Sequence, residues 1–182
     1  DIAKLLIMHG ADPEIINNSG KAPIMIAFLK NDLKMMKLLL EGGANPNIED
    51  KAGYALIHYA MDTGKDDVIK LLLAHKANIN QLSKNKYTPI QLAIISGELV
   101  TVKEFWDMCK IDVNAKDRDG QTLLHHAART GDPDMVAFLL AKGASPIIEN
   151  KKGLTAGMVA KSKGHLEVVS TITGYMLKNS PP

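Results

Sequence analysis

The chain has 182 residues, 46% hydrophobic and 23% charged but only 4% aromatic, which predicts a folded core built mostly from aliphatic side chains and argues against a disordered chain. Its 22 basic and 20 acidic residues leave a formal net charge of +2, too even a balance to mark a surface that tracks nucleic-acid phosphates. The single cysteine, Cys109, excludes an internal disulfide, a cysteine-rich zinc site and an iron–sulfur cluster.

Taken in chain order, residues 1–16 read as the second helix and closing turn of a partial unit. Here Ile2-Ala3-Lys4-Leu5-Leu6 matches the later Ile69-Lys70-Leu71-Leu72-Leu73, and Gly10-Ala11 and Asp12-Pro13 follow it. A start in mid-unit without an initiator Met is the expectation for a fragment with more such units upstream. Residues 17–48 form the first complete unit: a short apolar helix from Pro23 to Leu29, a break at Asn31, a second helix, then Gly43-Ala44 and the turn Asn45-Pro46-Asn47. Residues 49–81 repeat this plan. Residues 82–115 depart from it, with Lys86 where neighbours carry glycine, Gln91 where they carry histidine, Trp106 in the second helix and one extra residue around Met108–Lys110. Residues 116–148 return to the plan. Residues 149–178 close it with Ser170, Thr171, Thr173 and Lys178 at positions that are apolar or neutral elsewhere, as expected of a capping unit. Residues 179–182 read as a tail.

Three registers hold these units in phase. Gly20 and Gly53 stand 33 residues apart, as do Gly120 and Gly153, with Lys86 filling the empty step. Asn31, Gly64, Gly97, Gly131 and Gly164 form a second series, and Ala27, Ala60, Ala93, Ala127 and Ala160 a third. A period near 33 predicts a stack of helical hairpins in which each unit buries its apolar face against its neighbours. The alanine series predicts close approach of adjacent first helices.

Each unit carries a variant of one short motif: Ala22-Pro23-Ile24-Met25-Ile26-Ala27, Ala55-Leu56-Ile57-His58-Tyr59-Ala60, Thr88-Pro89-Ile90-Gln91-Leu92-Ala93, Thr122-Leu123-Leu124-His125-His126-Ala127 and Thr155-Ala156-Gly157-Met158-Val159-Ala160. With Gly-His-Leu-Glu-Val-Val at Gly164–Val169, the chain resembles the ankyrin repeat family over residues 1 to about 177, in five full units after a leading half. The resemblance implies an all-α solenoid of helix-turn-helix units with projecting hairpin-like turns. It also implies a hydrogen-bonding role for His58 and His125, and a partner bound along the turn tips and the concave groove of first helices.

No residue set points to catalysis. The six histidines lack metal-ligand spacing, Cys109 has no histidine near it in sequence, and no phosphate loop or nucleophile elbow is present. We therefore expect no cofactor and no enzymatic activity. The longest apolar run, near Pro23–Leu29, is far shorter than the ~18 residues of a membrane span, so no membrane insertion is expected. The lone cysteine fits a cytoplasmic or otherwise intracellular setting. Carried over by position, the resemblance implies partner-facing residues Lys51, Lys84, Arg118 and Lys151 at the tips; Tyr54, Tyr87 and Gln121 three positions on; and Asp62, Ile95 and Arg129 at first-helix ends. The basic tips beside two tyrosines suit an acidic, partly apolar protein or peptide bound by a monomer, with no nucleic acid. The alternative is an array that positions substrates or host targets for an enzyme or effector domain outside this segment.

Overall fold

A computed structural model describes residues 2–179; Asp1 and residues 180–182 of the expected tail lie outside the described residues. The described residues form α1 (Ile2–Met8), α2 (Pro23–Leu29), α3 (Leu33–Glu41), α4 (Leu56–Asp62), α5 (Asp66–Ala74), α6 (Pro89–Ser96), α7 (Leu99–Phe105), α8 (Leu123–Thr130), α9 (Pro133–Ala141), α10 (Ala156–Lys163) and α11 (Leu166–Lys178). A short 3-10 turn, Trp106–Met108, follows α7. The strand-like pairing among these residues consists of isolated bridges, Glu49 to Ala55 and Glu149 to Thr155, which close two of the tips. The chain divides into two units, residues 1–90 and 91–182, with the division inside α6.

Local chemistry sets the helix lengths. Proline at the first position of α2 and α9 fits where no intrahelical N–H bond is needed. The second helices α3 and α9 begin at Asp32 and Asp132, whose carboxylates accept main-chain N–H groups of the first turn. First helices end in a repeated closure: the N–H groups of Asp32, Lys65, Glu98 and His165 donate to the carbonyls of Ala27, Ala60, Ala93 and Ala160 at 2.9–3.0 Å. The residue in between, Asn31, Gly64, Gly97 or Gly164, is left-handed. The alanine register thus marks both a closure carbonyl and a buried contact, since the five alanines are 0–4% exposed.

In the first unit α2 packs on α3 and α4 on α5, and Ile24, Met36, Leu56, Ile57, Met61, Ile69 and Leu72 are fully buried. The Phe28 and Tyr59 rings meet between α2 and α4, centroids 6.3 Å apart. On α1, by contrast, Leu5, Leu6 and Met8 are more than half exposed. In the second unit α8 packs on α9 and α10, and α11 on both α9 and α10, burying Leu124, Met135 and Leu139. Helix α11 runs 13 residues, against nine in α5 and α9. Its Thr171 and Thr173 hydroxyls donate to carbonyls one turn back.

The irregular segment has a physical explanation. After α7 the chain tightens into the 3-10 turn, and Trp106 lies half-buried, edge-on to Phe138 of α9 with centroids 5.1 Å apart. Lys142 sits 5.6 Å from both ring centroids. Trp106 thus fills space that an aliphatic run occupies elsewhere. At the preceding tip Lys86 takes the glycine's left-handed conformation, φ +64°. A side chain there costs about 1–2 kcal/mol, offset in part by the freedom a glycine would add to the unfolded chain. Lys86→Gly is therefore expected to stabilise the fold by about 0.5–1 kcal/mol in urea unfolding; an unchanged or lower midpoint would contradict this reading of the tip.

Candidate partner-binding surface

The tips are held by a side chain that the motif comparison passes over. The Asn17, Asp50, Asp117 and Asn150 side chains each accept main-chain N–H bonds from residues two and four positions ahead, at 2.8–3.2 Å. The Ser83 hydroxyl accepts the Tyr87 N–H at 3.1 Å. These are Asx-type turns, and they recur with the repeat: a fourth register of Asn, Asp or Ser was available in the sequence to find them.

In two tips the second carboxylate oxygen reaches a helix. Asp50 Oδ2 accepts the Tyr59 hydroxyl, and Asp117 Oδ2 accepts from His126 Nε2 at 2.9 Å. Burial pushes the Asp50 carboxyl up, but the bonds from Tyr59, Tyr54 and Ala52 outweigh it and hold the group below its ordinary range. Burial and the Asp50 charge push the Tyr59 phenol up to about 12. Asp117 behaves like Asp50, its burial outweighed by the N–H groups of Gln121 and Asp119 and by His126. Both carboxylates are ionised at neutral pH, and the tips they hold are preformed.

The two motif histidines tie neighbouring repeats together. His58 Nδ1 accepts the Ala55 N–H at 3.1 Å, so its ring proton is on Nε2, which donates to the Tyr87 carbonyl at 3.3 Å. His125 Nδ1 likewise accepts the Thr122 N–H at 3.1 Å, and Nε2 donates to the Leu154 carbonyl at 2.9 Å. Burial holds His58 below its ordinary pKa. Cys109 is pushed up to about 11 by burial, so its thiol stays protonated and unreactive at neutral pH. Among the described residues, no group of three or more His, Cys, Asp or Glu side chains could hold a metal ion.

The residues expected to face a partner fall into a set for each unit. In the first, Lys51 and Lys84 are exposed at adjacent tips, joined where the Lys84 ammonium donates to the Lys51 carbonyl. Tyr54 is half-buried, its ring edge-on to His58 at 5.5 Å and 5.7 Å from Tyr59. Tyr87 joins this group through its carbonyl bond to His58. Asp62 lies half-buried at the end of α4. In the second unit, Arg118 is exposed at its tip and Gln121 is half-buried beside it. The Lys151 N–H donates to the Asp119 carbonyl at 3.0 Å, linking those two tips. Arg129 is exposed at the end of α8 and touches His126 at 2.7 Å. Ile95 is half-buried within α6.

A family profile described as "Ankyrin repeats (3 copies)" matches residues 1–83 and 57–150. The chain belongs to the ankyrin repeat family. The fold agrees: the crystal structure of EF0377, an ankyrin repeat protein, superposes with a TM-score of 0.80 at 23% identity, covering 94% of this chain and 90% of that one. The Probable E3 ubiquitin-protein ligase XBOS34 of Oryza sativa subsp. japonica is 47% identical over 53 residues, 29% of this chain and 10% of that protein. The Transient receptor potential cation channel subfamily A member 1 homolog of Caenorhabditis elegans is 36% identical over 78 residues, 42% of this chain and 6% of that protein. The Notch-regulated ankyrin repeat-containing protein B of Danio rerio is 31% identical over 72 residues, 40% of this chain and 65% of that protein. The chain thus spans a tenth or less of the first of these curated relatives. Ankyrin repeats are in general protein–protein interaction modules and non-catalytic. No helix among the described residues is long and apolar enough to cross a membrane.

Proposed function

We propose that this ankyrin chain is an intracellular protein-interaction module that takes an acidic partner protein or peptide on its tips and first-helix ends. The repeats are read as residues 17–48, 49–81, 82–115, 116–148 and 149–178 after the half-unit 1–16. The observation that carries the function is the preformed tip: hydrogen-bonded turn side chains hold the turns of Lys51, Lys84, Arg118 and Lys151 in place, with Tyr54 edge-on to His58 and the Tyr87 N–H bonded to Ser83. A surface ordered before binding loses little conformational entropy on docking. The exposed apolar row of α1 supports a place for this segment within a longer array. The relatives of which it covers a tenth or less favour a second reading, in which the same surface serves an activity elsewhere in a longer protein.

The test is charge reversal against a fluorescent hexa-aspartate peptide, followed by anisotropy. The pair Lys84→Glu and Arg118→Glu is expected to weaken binding by about tenfold, near 1.4 kcal/mol, while Asp134→Lys leaves it unchanged or tighter. Asp132 is unsuited as the control because it caps α9. Equal losses from both reversals would remove the proposal.

A further inference from the structure

Asp117, His126 and Arg129 form a chain of hydrogen bonds whose geometry admits one protonation pattern. The Arg129 guanidinium has only donors, so its 2.7 Å contact from Nη2 to His126 Nδ1 requires a lone pair on that nitrogen. The ring proton is then on Nε2, which donates to Asp117 Oδ2 at 2.9 Å. The other oxygen of Asp117 holds the tip through the N–H groups of Asp119 and Gln121. A neutral imidazole, its side chain 7% exposed, thus joins the tip to an exposed guanidinium. Beside it, α10 packs on α8 and carries Lys161 and Lys163 in its last turn, as α8 carries Arg129.

We infer that Arg129, positioned by neutral His126, is the residue that grips a partner's carboxylate on this surface, and that protonation of His126 releases that grip. This rests on the reading of the surface as a site for an acidic partner. A guanidinium held at one nitrogen keeps its remaining N–H groups aimed for a bidentate carboxylate pair. Protonation would place an N–H on Nδ1, so that donor faces donor and cation faces cation, and Arg129 loses its support. The groups acting on His126 are Asp117 from the turn and Arg129 and His125 on its own helix; of the helices packed on α8, α10 carries Lys161 and Lys163 and α9 carries Asp134. Burial and the Arg129 charge outweigh Asp117 and hold His126 below its ordinary range. The gripping state is therefore the neutral-pH state, and release belongs to acid.

Two measurements on the whole chain test this. Long-range imidazole NMR at about pH 7.5 should show the Nε2–H tautomer at His126, with the Arg129 Nε–H resonance moving on acidification at the same midpoint as the ring. An Nδ1–H tautomer, or an Arg129 signal indifferent to the ring, overturns the gate. With the hexa-aspartate probe, Arg129→Gln should weaken binding about tenfold at about pH 7.5. Wild type should weaken by about tenfold as the ring takes up its proton, with the midpoint of the loss at the midpoint of the His126 NMR titration, and His126→Gln, which takes up no proton, by less than about twofold over the same range. Should His126→Gln fail to fold by circular dichroism, the wild-type NMR titration still decides. Binding weakened by Arg118→Glu yet indifferent to Arg129→Gln and to acid would leave the surface reading standing and end this inference. No measurable binding of the probe would end both.

Discussion

Leu139→Ala is expected to lower the stability of the chain by about 3 kcal/mol, read as a shift of the urea midpoint. Leu139 has no exposed surface, it lies on α9, which packs on both α8 and α11, and its carbonyl closes the end of α9 by accepting the Ala144 N–H at 2.9 Å. The substitution keeps that main-chain bond and leaves a cavity where neighbouring repeats meet, a site that close-packed helices cannot collapse to fill. Leu177→Ala is the internal comparison. Leu177 is 74% exposed, so its loss should stay within about 0.5 kcal/mol. Similar effects at the two sites would mean that the stack does not depend on contacts between repeats.

His125→Ala is expected to cost about 2–3 kcal/mol, for a different reason. Its ring is buried and bridges the start of α8 to the Leu154 carbonyl of the next tip. Truncation leaves the Thr122 N–H and the Leu154 carbonyl without that partner while removing little apolar contact, so desolvation sets the loss. His9→Ala should change stability by less than about 0.5 kcal/mol, because His9 is exposed just past α1 and its ring bonds one turn back to the Leu5 carbonyl. A near-neutral His125→Ala in the same melts would contradict the bridging role.

Those contrasts show which parts of the molecule could be read from residue order. Period and conformation coincide: Gly20, Gly53, Gly120 and Gly153 all have positive φ, and so do Lys86, which fills their missing step, and Asn31, which heads the second series. Repetition reveals such positions because the same backbone problem is solved five times. The bridging role of His58 and His125 was legible through the motif they share. The Asp50–Tyr59 and Asp117–His126 bonds were not, because each joins a turn to a helix nine residues on, and Tyr59 and His126 differ in chemistry while doing the same work. The pairing of Lys84 with the Lys51 carbonyl was equally hidden: a lysine at an exposed tip looks the same in sequence whether its ammonium is free or joined to the neighbouring turn. Gly131 adds a further case. Its φ of +85° was expected from the register, but a Cβ there would also sit 2.6 Å from the His165 ring, whose Nε2 donates to the Arg129 carbonyl. That constraint exists only once α10 and α11 are in place.

The tips and first-helix ends are the surface proposed to grip a partner. Amide NMR of the labelled chain during addition of the hexa-aspartate peptide tests it directly. The expected result is a set of shifts confined to the residues around Lys51, Lys84, Arg118, Gln121, Arg129 and Lys151. Shifts concentrated instead on the outward face of the second helices, at Ala137, Ala141, Ser170 and Gly174, would contradict it.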